Sequence, residues 1–173
     1  MKNVAFAGLA CSGKTTAANF FEEKINSKNC FRVKVADPIY EVAHQVFGMK
    51  NKDRKLLQQI GEKLREIDPN VFVNYILRYK SYSKFPIFID DVRKKSEEIT
   101  LRENGFITVL VLSDEKIRKD RSDAQGYAWH PEDSTEQEMK EYTETNYIIT
   151  NNGSLTEFKQ KLEELYSRIE ERE

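Results

Sequence analysis

Hydrophobic residues in this 173-residue chain recur in two ways: short unbroken runs that suit buried strands, and i, i+3, i+4 spacings that suit amphipathic helices. The first run, Val4-Ala5-Phe6-Ala7, is followed after a glycine-containing break by residues 14–28, where Ala17, Ala18, Phe21 and Ile25 share one helical face. That segment ends in the turn-forming Asn26-Ser27-Lys28-Asn29, and residues 31–35 read as a second strand. Asp37-Pro38 has the form of a helix start, with the aspartate as cap and proline in the first turn. The helix then runs through Val42, Ala43 and Val46 to Gly48. Another helix begins near Asp53 and carries Leu56, Leu57, Ile60 and Leu64; Asp68-Pro69 repeats the start signal before residues 71–79.

Pro86-Ile87-Phe88-Ile89 reads as a buried parallel strand that ends in Asp90-Asp91-Val92-Arg93. A helix through Ile99 and Leu101 stops near Asn104-Gly105, residues 106–112 form the clearest buried strand, and residues 113–134 carry no sustained period. After a last strand at 147–150, Ser154 and Glu157 form a capping box for a terminal helix striped by Leu155, Phe158, Leu162, Leu165 and Ile169. Strands alternating with helices predict a parallel sheet covered on both faces. No repeat and no Pro/Gly/Ser-rich linker divides the chain, so residues 1–173 read as one domain.

Composition narrows the partners. A net charge of -1, from 28 basic and 29 acidic side chains, supplies no overall field for nucleic acid or an anionic membrane, so phosphate binding must come from a local cluster. The apolar runs are too short to span a bilayer and the first residues lead into a strand rather than a signal peptide, which predicts a soluble, cytoplasmic protein without membrane or stable nucleic-acid partners. Cys11 and Cys30 lack C-x-x-C or Cys/His spacing and read as reduced thiols; His44 and His130 have no partners at ligand spacing.

The sharpest chemical signal is Gly8-Leu9-Ala10-Cys11-Ser12-Gly13-Lys14-Thr15, which matches G-x-x-x-x-G-K-[ST] between the first strand and the first helix. Glycines let such a loop turn its N–H groups onto phosphate oxygens, and the following helix adds the positive end of its dipole. Ala10, Cys11, Ser12, Gly13 and Thr16 then surround the phosphates of ATP, Lys14 reaches the β- and γ-phosphates, and Thr15 completes the shell of Mg²⁺. Asp90 and Asp91 end a buried strand, where a carboxylate can hold Mg²⁺ or its water, although Asp91 would equally cap the next helix. Arg93 suits capture of a second phosphate, or a surface pair with Glu97. Lys116, Arg118, Lys119 and Arg121 make either a closing lid or a solvated basic turn, with the two arginines favoured for their planar fork. The long helical stretch between the second and third strands is suited to grip an acceptor, with Arg54, Arg65 and Arg78 available for a phosphate and Tyr40, Phe72 and Tyr75 for a flat group.

The phosphate loop, Asp37-Pro38-Ile39, Gln59-Ile60-Gly61 through Arg65-Glu66-Ile67-Asp68-Pro69, Asp90-Asp91-Val92-Arg93 and Ile149-Thr150-Asn151-Asn152-Gly153-Ser154 occur in an order that resembles the deoxynucleoside monophosphate kinases of bacteriophages. The resemblance implies an α/β P-loop kinase fold: three layers, a five-stranded parallel sheet, acceptor-binding helices at about 37–80 and a lid at about 113–134. It implies conversion of a deoxynucleoside monophosphate to its diphosphate with ATP and Mg²⁺, for DNA precursor synthesis in a host cytoplasm. Carried over by position, Gly13, Lys14 and Thr15 hold the donor phosphates, Asp91 and Arg93 face the reacting phosphates, and Arg65 contacts the acceptor; Asp37 and Arg93 are further acceptor-side candidates, and Arg118 and Arg121 stand as transfer candidates on their own charge. Asn151, Asn152 and Gly153 lie near the donor adenine, or simply make the turn before the last helix. Animal phosphomevalonate kinases are similar through the same blocks. A different small acceptor, a modified pyrimidine in DNA, or a module that binds nucleotide without transfer therefore stay open, as does assembly as a homodimer.

Overall fold

The structure is a computed structural model that describes residues 2–130 and 138–171. Five strands, β1 (Val4–Ala7), β2 (Phe31–Arg32), β3 (Ile87–Val92), β4 (Ile107–Leu112) and β5 (Tyr147–Thr150), form one sheet in the order β2-β3-β1-β4-β5. All pairings are parallel, with Val4 opposite both Phe88 and Ile107, and Leu110 opposite Ile148. The chain places β2 and β3 on one side of β1 and then crosses to β4 on the other. This reversal opens a crevice at the carboxyl end of β1, where open parallel sheets bind ligands.

Alternation along the strands sorts side chains into two cores. Val4, Phe6, Phe88, Val109 and Val111 face α1 (Lys14–Ile25) and α7 (Leu155–Glu170), while Ala5, Ala7, Ile87, Ile89 and Leu110 face α4 (Val71–Tyr82) and α5 (Lys95–Glu103). The result is three layers. Phe21 of α1 anchors the first core, with its ring edge-on to Phe6 at 5.2 Å, Phe88 at 6.0 Å and Tyr166 at 5.2 Å. Between β2 and α4, α2 (Asp37–Gln45) and α3 (Arg54–Ile67) pack around a small cluster of their own, Ala43, Met49 and Ile60. Glu98, fully buried on α5, accepts hydrogen bonds from Thr108 and Tyr142 and so fastens the chain returning to β5.

Several elements differ from the sequence expectation. Strand β2 holds two residues rather than five, because Val35 donates its amide to Asp91 instead of to the sheet. Ala36, not Asp37, occupies the cap of α2; Asp37 is the first helical residue and its carboxylate accepts from Lys34 N at 2.8 Å. Asp53 caps α3, accepting from Leu56 N, and Ser154 and Glu157 form the expected box on α7. The region without a period contains a helix, α6 (Glu115–Ala124), whose buried positions are Arg118 and Ser122. Its inward face is polar, so no apolar stripe marks it. The expected lid at 113–134 extends past the described residues from 131 onward. Among the described residues no helix is long and apolar enough to cross a membrane.

Replacing Phe21 by Ala should cost about 3–5 kcal/mol of stability, whereas Phe47→Ala, at a ring 59% exposed, should stay within about 0.5 kcal/mol. Chemical denaturation midpoints of the two variants check the contrast, and equal losses would contradict the assignment of the core.

Candidate active site

The phosphate loop leaves β1 at Gly8, whose φ of 137° opens the turn, and enters α1 through Gly13 at φ 111°. Neither tolerates a side chain: a Cβ on Gly8 would stand 2.5 Å from the Val111 carbonyl oxygen, and one on Gly13 would overlap the Asn151 amide nitrogen. Turning a run of N–H groups toward one ligand points the carbonyls the other way, and these need donors. Here each of the five from residue 8 to residue 12 receives one from a side chain. Lys14 Nζ donates to Gly8 O (2.8 Å) and Leu9 O (2.7 Å), Arg118 to Ala10 O (3.2 Å), Arg121 to Cys11 O (3.3 Å) and Asn151 Nδ2 to Ser12 O (2.8 Å). Arg121 also binds the Asn151 carbonyl at 3.0 Å, and Arg118 lies over the Trp129 ring at 5.1 Å. Both α6 arginines thus brace the loop from outside, and Asn152 accepts from Asp114 N at the base of the same helix.

At the end of β3 the two adjacent aspartates part. Asp90 Oδ2 accepts from Thr15 Oγ1 at 2.7 Å and pairs with Arg32 Nη2 at 2.7 Å. Burial alone would raise this carboxyl, but the bonds from Arg32 and Thr15 and the charges of Arg32 and Lys34 outweigh it and hold Asp90 below its ordinary value. Asp91 points the opposite way and fastens the start of α2, its two oxygens accepting from Val35 N (2.8 Å) and Ala36 N (3.0 Å). Burial first, then the charges of Asp90 and Glu97, push Asp91 up to about 6 despite those two bonds. The donor set fits Mg²⁺ at Thr15 and Asp90: both are hard oxygen ligands, and the buried Oδ1 of Asp90 has no hydrogen-bond partner.

A cleft of about 1050 Å³ runs from the loop to the helical insertion. Of the expected residues, Ala10, Cys11, Gly13, Lys14, Thr15, Thr16, Asp90, Asp91, Arg93, Arg121, Asn151 and Gly153 line it, with Arg54 and Tyr40 from the insertion. The others do not line it: Gly8, Ser12 and Arg78 lie outside the lining, Asp37 is turned to Lys34 N, Arg118 to Ala10 O and Asn152 to Asp114 N. Arg65 pairs with Glu97 at 3.0 Å, Phe72 is core, and Tyr75 bonds Glu41 and Tyr79. The cleft also draws on residues the sequence did not single out, Lys34, Lys52, Leu57, Gln58, Tyr127 and Trp129, and on His130, read there as ordinary. Only the aromatic run after α6 left a visible signal for these.

No protein-family model matches the sequence, and no curated protein matches it. Solved structures do. The shikimate kinase of Bacteroides thetaiotaomicron aligns at TM-score 0.65 and 17% identity over 98% of each chain. The shikimate kinase of Acinetobacter baumannii in complex with shikimate aligns at 0.63 and 14%, covering all of this chain and 95% of that one. The chain has the P-loop kinase fold. An APS kinase from Mycobacterium tuberculosis, in complex with AMPPNP and APS, aligns at 0.58 and 13%, over 98% of this chain and 97% of that one. Within the P-loop kinase fold the Gly8–Thr15 loop, the Thr15–Asp90 contact and the crevice beside β1 fall together at one sheet edge.

Because the folded value of Asp91 lies above its ordinary 3.8, its contribution to stability is full below that pH and is lost as pH rises through about 6. Relative to Asp91→Asn, which does not titrate, the wild type should lose stability between about pH 4 and about pH 7. Denaturation of both proteins across that range is the check; a gap independent of pH would refute it.

Proposed function

We propose that this chain moves the γ-phosphoryl group of ATP onto the phosphate of a deoxynucleoside monophosphate. The observation that carries the reading is the balance of groups in the cleft. Lys34, Lys52, Arg54 and Arg93 line its acceptor side, while both carboxylates that line it, Asp90 and Asp91, are committed to protein partners. A hydroxyl acceptor calls for a base to take its proton, whereas a phosphate oxygen is already anionic at neutral pH and needs only cations to approach a second anion. Tyr40 and Leu57 supply flat and apolar wall area for a base. The ordered sequence blocks favour a deoxynucleotide over other phosphorylated acceptors.

In this reading the loop amides and Lys14 hold the donor phosphates, and Arg118, Arg121 and Asn151 keep the loop in the shape that aims them. Thr15 and Asp90 would hold a Mg²⁺ ion, which would supply charge neutralisation for the donor phosphates. Arg93, exposed and facing the cleft, orients the acceptor phosphate for in-line attack. No covalent enzyme intermediate forms.

With Mg²⁺-ATP and a panel of deoxy- and ribonucleoside monophosphates plus phosphomevalonate, ADP release should appear with one or more deoxynucleotides. Turnover on phosphomevalonate alone would transfer the protein to that acceptor, and silence throughout would leave a binding module. Lys14→Ala should lower kcat by about a hundredfold or more with the fold intact. Arg93→Ala should raise the acceptor KM or lower kcat by about tenfold while ATP affinity holds, and equal weakening of ATP would show the residue misassigned.

A further inference from the structure

Arg93 follows β3 directly, so its placement depends on what holds the turn into α5. Glu97 holds it. This carboxylate, 4% exposed, reaches back over the first turn of α5, and its Oε2 accepts from Arg93 N at 3.3 Å and Lys94 N at 3.2 Å. Its Oε1 accepts from Arg65 Nη2 at 3.0 Å. A buried carboxylate deprived of its cation is strongly disfavoured where it stands, so losing the Arg65 guanidinium loosens its hold on that position. Arg65 therefore governs how firmly Glu97 grips the two amides.

Arg65 is itself fixed from two sides. Its guanidinium lies over the Phe72 ring of α4 at 4.6 Å, and it passes beside Gly61 one helical turn earlier, where a Cβ would stand 3.2 Å from Nη1 and equally close to Ile39 of α2. The glycine leaves the space that this side chain and α2 share. Arg65 does not line the cleft, yet it joins α3, α4 and the β3–α5 turn in one contact chain.

We infer that Arg65 and Glu97 are positioning residues that fix the main chain at Arg93 and Lys94, and so set how the Arg93 side chain meets the acceptor. This rests on the reading of Arg93 as an acceptor contact. It also gives the helical insertion a mechanical link to the reacting edge of the sheet.

The test compares Arg65→Met, Arg65→Lys and Glu97→Gln, each alone and combined with Arg93→Ala. Steady-state kinetics would use Mg²⁺-ATP and the deoxynucleoside monophosphate of highest kcat/KM, and amide hydrogen exchange would be read at Arg93 and Lys94. Arg65→Met should raise the acceptor KM about tenfold and move the ATP KM by less than about twofold. It should add nothing further in the Arg93→Ala background, and Arg65→Lys should recover part of the loss. Exchange at both amides should quicken in Arg65→Met and Glu97→Gln. Multiplicative loss with Arg93→Ala, parallel weakening of ATP, or unchanged exchange would overturn the inference. If Arg65→Met does not fold, the near-isosteric Glu97→Gln carries the same comparison. Wild-type protein silent on every nucleotide would defeat the proposed function, and the exchange comparison would then decide the positioning role by itself.

Discussion

A peptide that points its amides at an anion must point its carbonyls into the protein, and this direction rule organises the whole edge of the sheet at the phosphate loop. Carbonyls 8–12 are met by Lys14 from within the loop, by Arg118 and Arg121 from α6 and by Asn151 from the end of β5. Buried acceptors without donors are destabilising by an amount comparable to a lost hydrogen bond each, so residues more than a hundred positions away are part of the loop's own structure. The close seating of Gly13 on Asn151 and of Gly8 on Val111 follows from the same need.

The end of β3 applies a different rule to a few consecutive residues. Strand alternation sends Asp90 toward Thr15 and Arg32 and turns Asp91 to the amides that begin α2. Arg93 then faces the cleft, and Glu97, one turn into α5, ties that turn back to α3. A partner of the loop's Thr15, an anchor of the insertion, a cation facing the cleft and a brace thus come from eight residues of chain, and each faces a different element.

Much of this was legible in advance where one kind of interaction dominates. The loop is read from its glycines and Lys14, the strands from unbroken apolar runs, and the start of α7 from Ser154 and Glu157. What escaped depends on polar or long-range contacts. Helix α6 has no apolar period because it buries Arg118 and Ser122, and nothing local to those residues announces the carbonyls they serve. Adjacent aspartates look alike in a sequence; only the register of β3 against β1 and β2 separates them. Arg65 carries the charge and reach for a phosphate, but the space at Gly61 and the buried Glu97 direct it elsewhere. Lys34, Lys52 and Trp129 enter the cleft from three separate segments, a convergence that only the fold creates.

The near-zero net charge conceals a strong polarity. Lys14, Lys34, Lys52, Arg54, Arg93 and Arg121 gather in the cleft against Asp90 and Asp91, so acidic side chains outnumber basic ones over the remainder of the chain. So uneven a distribution concentrates positive charge at one opening of a nearly neutral molecule, and added salt screens that local field more than the overall charge suggests.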